Sequence, residues 1–384
     1  MRIAQLAPLY EAVPPRAYGG TELAVHLLTE ALVRRGHEVA LFASGDSGTS
    51  ARLVPGAPYA IWSEQGRRRW RTDADAIAEE ARHARACMRR AAEFDLVHNH
   101  AGPAGMMAAT ATRTPVLTTH HRAYDPRTAW VYGVYPGAHH ALSESASGAF
   151  PARGRLPPIH HGIDVASYPF NERPEGYLLF LGRLAPEKGA HVAVEVARRA
   201  RRRLVIAGPI QGRHAGYGAD ILAAADGTAI RYLGEAGPDE KRRLLAGAAA
   251  ILFPITWDEP FGLVMVEALA CGTPVLAFAA GSVPEVIRGG ETGFIVEAGP
   301  DPLAPGAGAD RLVEAVRLLP LISRERCRWE AEARFSIERE VDEYERVYEA
   351  LVSGETPVAH RREPVAVVDG ELVGEPGAPE LVCD

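Results

Sequence analysis

The chain has 384 residues, of which 47% are hydrophobic, and it carries a formal net charge of −7 at pH 7. This length and composition allow a large buried core and suggest two domains, whereas the acidic balance argues against a general nucleic-acid-binding protein. The four cysteines are spaced too widely for a disulfide framework or a zinc pattern.

The amino-terminal segment MRIAQLAPLYEAVPP has an apolar run that Pro8 interrupts, and the run is too short for a signal peptide. No stretch of the sequence approaches the roughly 20 apolar residues that a helix needs to cross a bilayer. We therefore expect a soluble protein of the cytoplasm that contacts a membrane peripherally at most.

The first elements predict a βαβ unit. Residues 3–7 form a short apolar strand, a helix follows to Arg35, and residues 38–43 form the next strand, so a parallel sheet begins here. Gly19 and Gly20 stand before the helix, at the carboxyl side of the first strand, where open α/β sheets bind ligands. A flexible turn is one interpretation of this pair, and close approach of a phosphate to the backbone is the other.

A basic segment, RRRWR at residues 67–71, precedes a predicted helix over residues 73–92. It suits contact with anionic lipid or an acidic acceptor, but a solvated loop and helix face is the interpretation we favour. Asp73 and Asp75 have the D-x-D spacing of some metal sites, yet they begin a helix where Thr72 or Asp73 predicts an ordinary N-cap. We predict no metal site there.

Histidines follow two predicted strands of the first domain. His98 and His100 end one of them, and because no acidic or cysteine partner stands at a useful spacing, packing at the strand end is favoured over metal ligation. His121 follows the strand at residues 115–119 and is expected to face a cleft.

A second βαβ unit begins at residue 177 with the strand Tyr177–Leu181. Gly182, Arg183 and Lys188 lie in the loop after this strand, before a helix over residues 190–201. Taken alone, the two basic residues are ordinary surface charges. Together at the carboxyl edge of the sheet, they could neutralise a diphosphate without a metal.

Residues 251–275 predict a strand, a loop, a helix and a second strand. Glu259 stands just before the helix and Glu267 stands inside it. The first backbone amides of a helix lack intrahelical partners and suit a phosphate; here they belong to Phe261, Gly262 and Leu263. Amides that attract anions, flanked by carboxylates, favour a ligand with both phosphate and hydroxyl groups, such as a sugar nucleotide.

The segment EPFGLVMVEALACGTPV at residues 259–275 resembles the E-x7-E signature of the retaining glycosyltransferases of family 4. Other parts of the family pattern occur in order: a glycine pair at residues 19–20, PVLTTHH at residues 115–121, and G-R-x-x-x-x-K-G at residues 182–189. The similarity extends over residues 1–350. His161 and Ile255 depart from the pattern and leave the nucleobase and the acceptor open, and Arg122 replaces the glycine that usually follows the histidine at position 121.

The resemblance implies an α/β fold of the GT-B type, with two Rossmann-like, doubly wound domains that face a cleft. We assign residues 1–165 to an acceptor-side domain and residues 166–174 to a linker. Residues 175–335 would form the domain that binds the nucleotide sugar, and residues 336–352 a closing helix that returns to the first domain. Residues 353–384 are rich in Pro, Gly and acidic residues and are expected to form a mobile tail.

The function that this resemblance implies is retaining transfer of a hexose from a UDP- or GDP-sugar to a small-molecule, lipid or glycan acceptor, without a cofactor or a metal. The implied catalytic residues are His121, Arg183, Lys188 and Glu259. The implied donor-binding residues are Gly19, Gly20, Gly182, Phe261, Gly262, Leu263 and Glu267. An epimerase or a phosphorylase on the same fold remains open, as does a non-catalytic protein that binds sugar nucleotides.

Overall fold

The computed structural model describes residues 1–16, 18–299, 306 and 308–355. These residues form two parallel sheets of six strands each, and apolar clusters cover both faces of each sheet. Strands buried on both faces are typical of α/β domains, in which helices connect neighbouring parallel strands. The predicted fold of two Rossmann-like domains is confirmed.

The first sheet has the order β3-β2-β1-β4-β5-β6. Its strands are β1 (Arg2–Leu6), β2 (Glu38–Ser44), β3 (Arg52–Ala57), β4 (Leu96–Asn99), β5 (Val116–Thr119) and β6 (Ala138–His140). The helices between them are α1 (Gly20–Arg34), α2 (Glu64–Arg69), α3 (Asp73–Arg89), α4 (Pro103–Ala109), α5 (Ala129–Val134) and α6 (Glu144–Ser147).

The second sheet has the order β12-β11-β10-β7-β8-β9. Its strands are β7 (Tyr177–Leu181), β8 (Leu204–Ala207), β9 (Ile230–Tyr232), β10 (Ala248–Phe253), β11 (Val275–Phe278) and β12 (Gly293–Val296). The helices are α7 (Ala190–Ala200), α8 (Ala215–Ala224), α9 (Pro238–Gly247), α10 (Leu263–Ala270), α11 (Val283–Val286), α12 (Ala309–Leu318), α13 (Arg324–Arg334) and α14 (Ile337–Ser353). None of the helices described here is both long enough and apolar enough to cross a bilayer.

The strand order reverses direction once in each sheet, between β1 and β4 in the first and between β7 and β10 in the second. Ile3 pairs with both Val39 and Leu96, so β1 is a central strand. Ligands of open α/β sheets bind beyond the carboxyl ends of the strands at such a switch point. The loops after β1, β7 and β10 are therefore placed to build a site.

Helix α14 packs on the first sheet although it follows the second domain in sequence. Its Tyr344 and Tyr348 have no exposed surface and lie in one apolar cluster with Ile3, Leu96 and Leu117. The helix ends at Ser353, with Gly354 in a left-handed conformation as its C-cap. Most of the predicted mobile tail, residues 356–384, lies outside the described residues.

The start of α3 confirms the predicted N-cap at Thr72. The Thr72 side chain accepts a hydrogen bond from the Asp75 amide at 3.1 Å, and the Asp75 carboxylate accepts one from the Thr72 amide at 3.0 Å. This reciprocal arrangement is a capping box, and it gives the D-x-D spacing a structural explanation. The helix ends at Arg89, before the predicted residue 92, because a 3-10 turn begins at Ala91.

Thr72→Ala is expected to lower the free energy of unfolding by about 1 kcal/mol, because α3 loses its side-chain cap. Urea denaturation followed by circular dichroism measures this loss. Thr72→Ser keeps the hydroxyl and should remain close to wild type. An alanine variant as stable as the serine variant would show that the cap contributes nothing.

Candidate active site

A cleft lies between the carboxyl ends of the two sheets and encloses about 930 Å³, including the part open to solvent. Eight of the predicted site residues line it: Gly19, Gly20, Gly182, Lys188, Glu259, Gly262, Leu263 and Glu267. They come from the loops after β1, β7 and β10 and from the first turns of α1 and α10. The switch points of both sheets thus contribute to a single site.

Two helix amino termini, one from each domain, meet across this cleft. Gly19 is the N-cap of α1 and Gly262 is the N-cap of α10. A Cβ atom placed on Gly20 would lie 3.8 Å from Leu263, so the two ends are adjacent. Gly262 has a φ of 74°, a left-handed conformation that favours glycine. The first amides of each helix are unpaired donors, and their partial positive charge suits a phosphate.

Lys188 and Glu259 form an ion pair in the wall of the cleft. The Glu259 carboxylate also accepts a hydrogen bond from the Trp257 indole at 2.9 Å, and the Lys188 ammonium lies 4.7 Å from the centre of that ring. Gly189, which follows the lysine, has a φ of 77°, and a Cβ atom there would come within 2.1 Å of the Pro254 carbonyl oxygen. The glycine therefore lets the two loops approach closely enough for the ion pair.

Arg183 is not among the residues that line the cleft. Its guanidinium pairs with Glu187, four residues further along the chain, at 2.7 Å. Its Nη1 atom is buried and lacks a hydrogen-bond partner in the described part of the chain. Of the two predicted cations, only Lys188 thus lines the cleft, and the role of Arg183 remains a prediction.

Glu267 is buried on α10, and two other side chains hold its carboxylate. The Lys241 ammonium lies 2.5 Å from Oε1, and the Tyr168 hydroxyl donates to the same oxygen at 2.8 Å. Burial, together with the charge and the hydrogen bond of Glu267, raises the pKa of Tyr168 well above its ordinary value. Both contacts use Oε1, so Oε2 is the carboxylate oxygen left for a ligand.

Sequence reasoning missed Lys241 and Tyr168. Lys241 stands in the charged run DEKRR of α9, where nothing local separates it from a surface lysine. Tyr168 is separated from Glu267 by 99 residues. Only the folded arrangement brings the three side chains together.

His121 lies directly after β5, is half-buried and, like Arg183, is not among the residues that line the cleft, so its role stays a prediction. Its Nε2 atom is 2.9 Å from Nδ1 of His100, and its ring stacks on that of His161 with the centroids 5.2 Å apart. Burial and the neighbouring imidazoles hold the pKa of His121 well below its ordinary value, so the ring is neutral near pH 7. His98 and His100 are buried and hydrogen-bonded at the end of β4, as the favoured interpretation predicted.

Phe261 is also absent from the cleft lining, because its ring is buried beneath it. The side chain is 2% exposed and contacts the rings of His160, His161 and Phe335. Its predicted contribution to donor binding is therefore restricted to its backbone. The described residues contain no group of three or more histidine, cysteine or acidic side chains that could hold a metal ion.

Glu285 connects the two domains beside the cleft. Its carboxylate accepts hydrogen bonds of 2.8 Å from the amides of Glu144 and Ser145 at the start of α6, and it lies 3.2 Å from Nε2 of His160. Burial alone would raise the pKa of Glu285, but the bonds from His160 and the two amides hold it below its ordinary value. A second contact between the domains joins the Tyr18 amide to the Glu235 carboxylate at 2.9 Å.

Comparisons with known proteins cover both halves of the chain. Residues 18–167 match the family described as glycosyltransferase family 4, and residues 166–332 match the family described as glycosyl transferases group 1. The chain is 29% identical to a glycogen synthase of Mycobacterium tuberculosis, over 82% of this chain and 86% of that one. It is 27% identical to a phosphatidyl-myo-inositol mannosyltransferase of the same species, over 82% and 87%.

Solved structures share the same two-domain fold. AviGT4, a glycosyltransferase involved in avilamycin A biosynthesis, aligns with a TM-score of 0.69 and 27% identity, over 92% of this chain and 98% of that one. A sucrose-phosphate synthase of Thermosynechococcus elongatus aligns with a TM-score of 0.72 and 18% identity, over 92% and 100%.

Proposed function

This chain belongs to glycosyltransferase family 4 and is a GT-B enzyme that uses a nucleotide sugar donor, and from that premise we propose that it transfers a hexose from UDP- or GDP-sugar with retention of anomeric configuration. The observation that carries the proposal is the meeting of the α1 and α10 amino termini in a cleft flanked by two carboxylates. Amide donors bind the diphosphate there, and carboxylates bind hydroxyl groups on either side of it.

The two carboxylates bind different hydroxyl groups of the donor. Glu259 binds hydroxyls of the transferred sugar, and the amides from Phe261 to Leu263 face the sugar and the phosphates. Glu267 binds the ribose through Oε2, because Lys241 and Tyr168 already hold Oε1.

The reaction that we propose is a substitution on one face of the sugar. The bond from the anomeric carbon to the phosphate oxygen breaks, the acceptor oxygen bonds to that carbon, and the acceptor's proton passes to the departing diphosphate. Lys188, the helix amides and Arg183 stabilise the charge that develops on the diphosphate. The Nη1 atom of Arg183, a donor without a partner among the described residues, supports this role. No enzyme nucleophile is needed, and Glu259 is already held by Lys188 and Trp257.

The acceptor is a hydroxyl of a small molecule, a lipid or a glycan. The names of the relatives include a glycogen synthase and a phosphatidyl-myo-inositol mannosyltransferase, so they span a glycan and a lipid. We propose that the reaction takes place in the cytoplasm.

Thermal unfolding with UDP, GDP and ADP and their common sugar conjugates, each with and without EDTA, tests donor binding. A ligand at 100 times its Kd should stabilise the folded enzyme by about 2.7 kcal/mol. We expect one base to stabilise the protein selectively, with or without EDTA, and the effect to weaken in Glu267→Ala. Product analysis with the identified donor then separates a transferase from an epimerase, a phosphorylase or a non-catalytic binding protein. No stabilisation by any of these ligands would contradict the proposal.

A further inference from the structure

A row of polar side chains in the first domain joins the carbonyl oxygen of Ala141 to the ring of His121, and each neighbouring pair in the row is hydrogen-bonded except Tyr348 and Gln5. Its members come from β1, β4, β5, β6 and α14, and all but His121 are fully buried or nearly so. The side chains in the row are His140, Thr119, His98, Tyr348, Gln5, His100 and His121. The direction in which each bond donates can be worked out from one end.

The row begins at the Ala141 carbonyl, which can only accept. His140 Nδ1 lies 2.8 Å from this oxygen and therefore carries a proton. His140 has no exposed surface, and full burial disfavours a charged imidazole, so its Nε2 is unprotonated. The Thr119 hydroxyl, 2.7 Å from Nε2, must donate to it.

The Thr119 hydroxyl donates its one proton to His140 and therefore accepts hydrogen bonds from its other neighbours. His98 Nε2 donates to the hydroxyl oxygen at 2.7 Å, and the Tyr344 hydroxyl donates to it at 3.1 Å. Burial and nearby imidazoles hold the pKa of His98 well below its ordinary value, so His98 is neutral and its Nδ1 is unprotonated. The Tyr348 hydroxyl, 2.7 Å from Nδ1, donates its proton there.

The orientation of the Gln5 amide, next to Tyr348, decides which atom donates in the hydrogen bond between Gln5 and His100. The amide oxygen lies 2.7 Å from His100 Nε2. The amide nitrogen lies on the side of the Tyr348 hydroxyl, but it makes no well-formed hydrogen bond to that hydroxyl. If the amide were turned over, its oxygen would face a hydroxyl whose proton already goes to His98. The amide oxygen therefore accepts from His100, and His100 Nε2 carries a proton.

The last bond of the row determines the state of His121. Burial and neighbouring imidazoles keep the pKa of His100 well below its ordinary value, so the neutral ring has an unprotonated Nδ1. His121 Nε2, 2.9 Å away, must donate to it. The Nδ1 atom of His121 has no hydrogen-bond partner among the described residues.

We propose that Gln5 and Tyr348 are positioning residues that hold His121 as the Nε2-protonated tautomer, so that His121 offers a ligand an acceptor and no donor. The tautomer follows from the hydrogen-bond geometry together with the neutrality of the buried imidazoles. The identity of the ligand, a hydroxyl of the transferred sugar, rests on the proposed function. A helix that follows the second domain thus controls the hydrogen-bonding character of a residue in the first.

The tautomer is tested by nitrogen-15 NMR of the full chain labelled at its 14 histidines, with the His121 signals identified by their loss in His121→Gln. In the wild type, we expect the directly bonded proton on Nε2 only. Tyr348→Phe keeps the ring but removes the hydroxyl, so either orientation of Gln5 becomes acceptable and both tautomers of His121 should appear. Thr119→Val interrupts the row at a second bond and should have the same effect. Tyr177→Phe removes a buried hydroxyl of the second domain and is the control.

Donor analogues with fluorine in place of one hydroxyl supply a readout that a merely structural role would not change. Fluorine cannot donate to Nδ1, so one position should reduce kcat/KM of the wild type by roughly fivefold, and Tyr348→Phe should lose much of that discrimination. A proton on Nδ1 of His121 in the wild type, or an unchanged tautomer in both Tyr348→Phe and Thr119→Val, would overturn the proposal. The NMR result stands even if no sugar transfer is found, so the two proposals fail separately.

Discussion

Lys188→Met lowers kcat by roughly 100-fold, the result expected if about 2.7 kcal/mol of charge stabilisation is lost from the transition state. Lys188 lines the cleft beside Glu259, and its ammonium is fixed between that carboxylate and the Trp257 ring. The fixed ammonium is already placed for charge that develops on the diphosphate. Steady-state kinetics with the donor found in the ligand panel measure the effect.

The matched comparison for this variant is Arg183→Gln. Arg183 already pairs with Glu187 and does not line the cleft, so a smaller loss in kcat is expected, of roughly tenfold. Lys188→Arg retains the charge but not the compact ammonium and should fall between wild type and Lys188→Met. A kcat of Lys188→Met within threefold of wild type would remove this lysine from the mechanism.

Lys241→Met is expected to destabilise the second domain by about 2 kcal/mol, because it leaves the Glu267 carboxylate, 3% exposed, with Tyr168 as its remaining partner. The same change should weaken donor binding, since Lys241 orients the carboxylate that we assign to the ribose. Urea denaturation measures the stability, and titration with the identified nucleotide measures the affinity.

The double variant Lys241→Met/Glu267→Gln separates these two effects. Removing the charge of Glu267 should restore most of the stability, because no buried carboxylate remains unpaired. It should not restore donor affinity. A single variant as stable as wild type would show that water compensates Glu267 without Lys241, and recovered affinity in the double variant would contradict the role of Glu267.

The local features of the site could be predicted from sequence because they depend on neighbouring residues. Strand β10, the loop that contains Glu259 and helix α10 occur in the predicted order across residues 251–275. Gly262 and Gly189 are examples, because each has a left-handed conformation at a turn. That conformation favours glycine, so the residue type itself indicates the turn.

Contacts between distant residues could not be predicted in the same way. Glu285 accepts hydrogen bonds from the amides of Glu144 and Ser145 at the start of α6, in the other domain, and no local sequence pattern indicates this contact. Arg183 and Glu187 are four residues apart, yet nothing in the sequence pattern indicated their ion pair. The sequence shows which charged groups are present, whereas the fold determines which of them form ion pairs with one another.

The position of α14 has a consequence for how the protein is made. The ribosome completes the first sheet long before it reaches Tyr344 and Tyr348, the two rings that cover Ile3, Leu96 and Leu117. During that interval the nascent first domain has an uncovered apolar face, a condition that favours aggregation or chaperone binding. A fragment that ends at residue 165 would have the same exposed face permanently. The two halves of this enzyme are therefore distinct in architecture but not independent in biosynthesis.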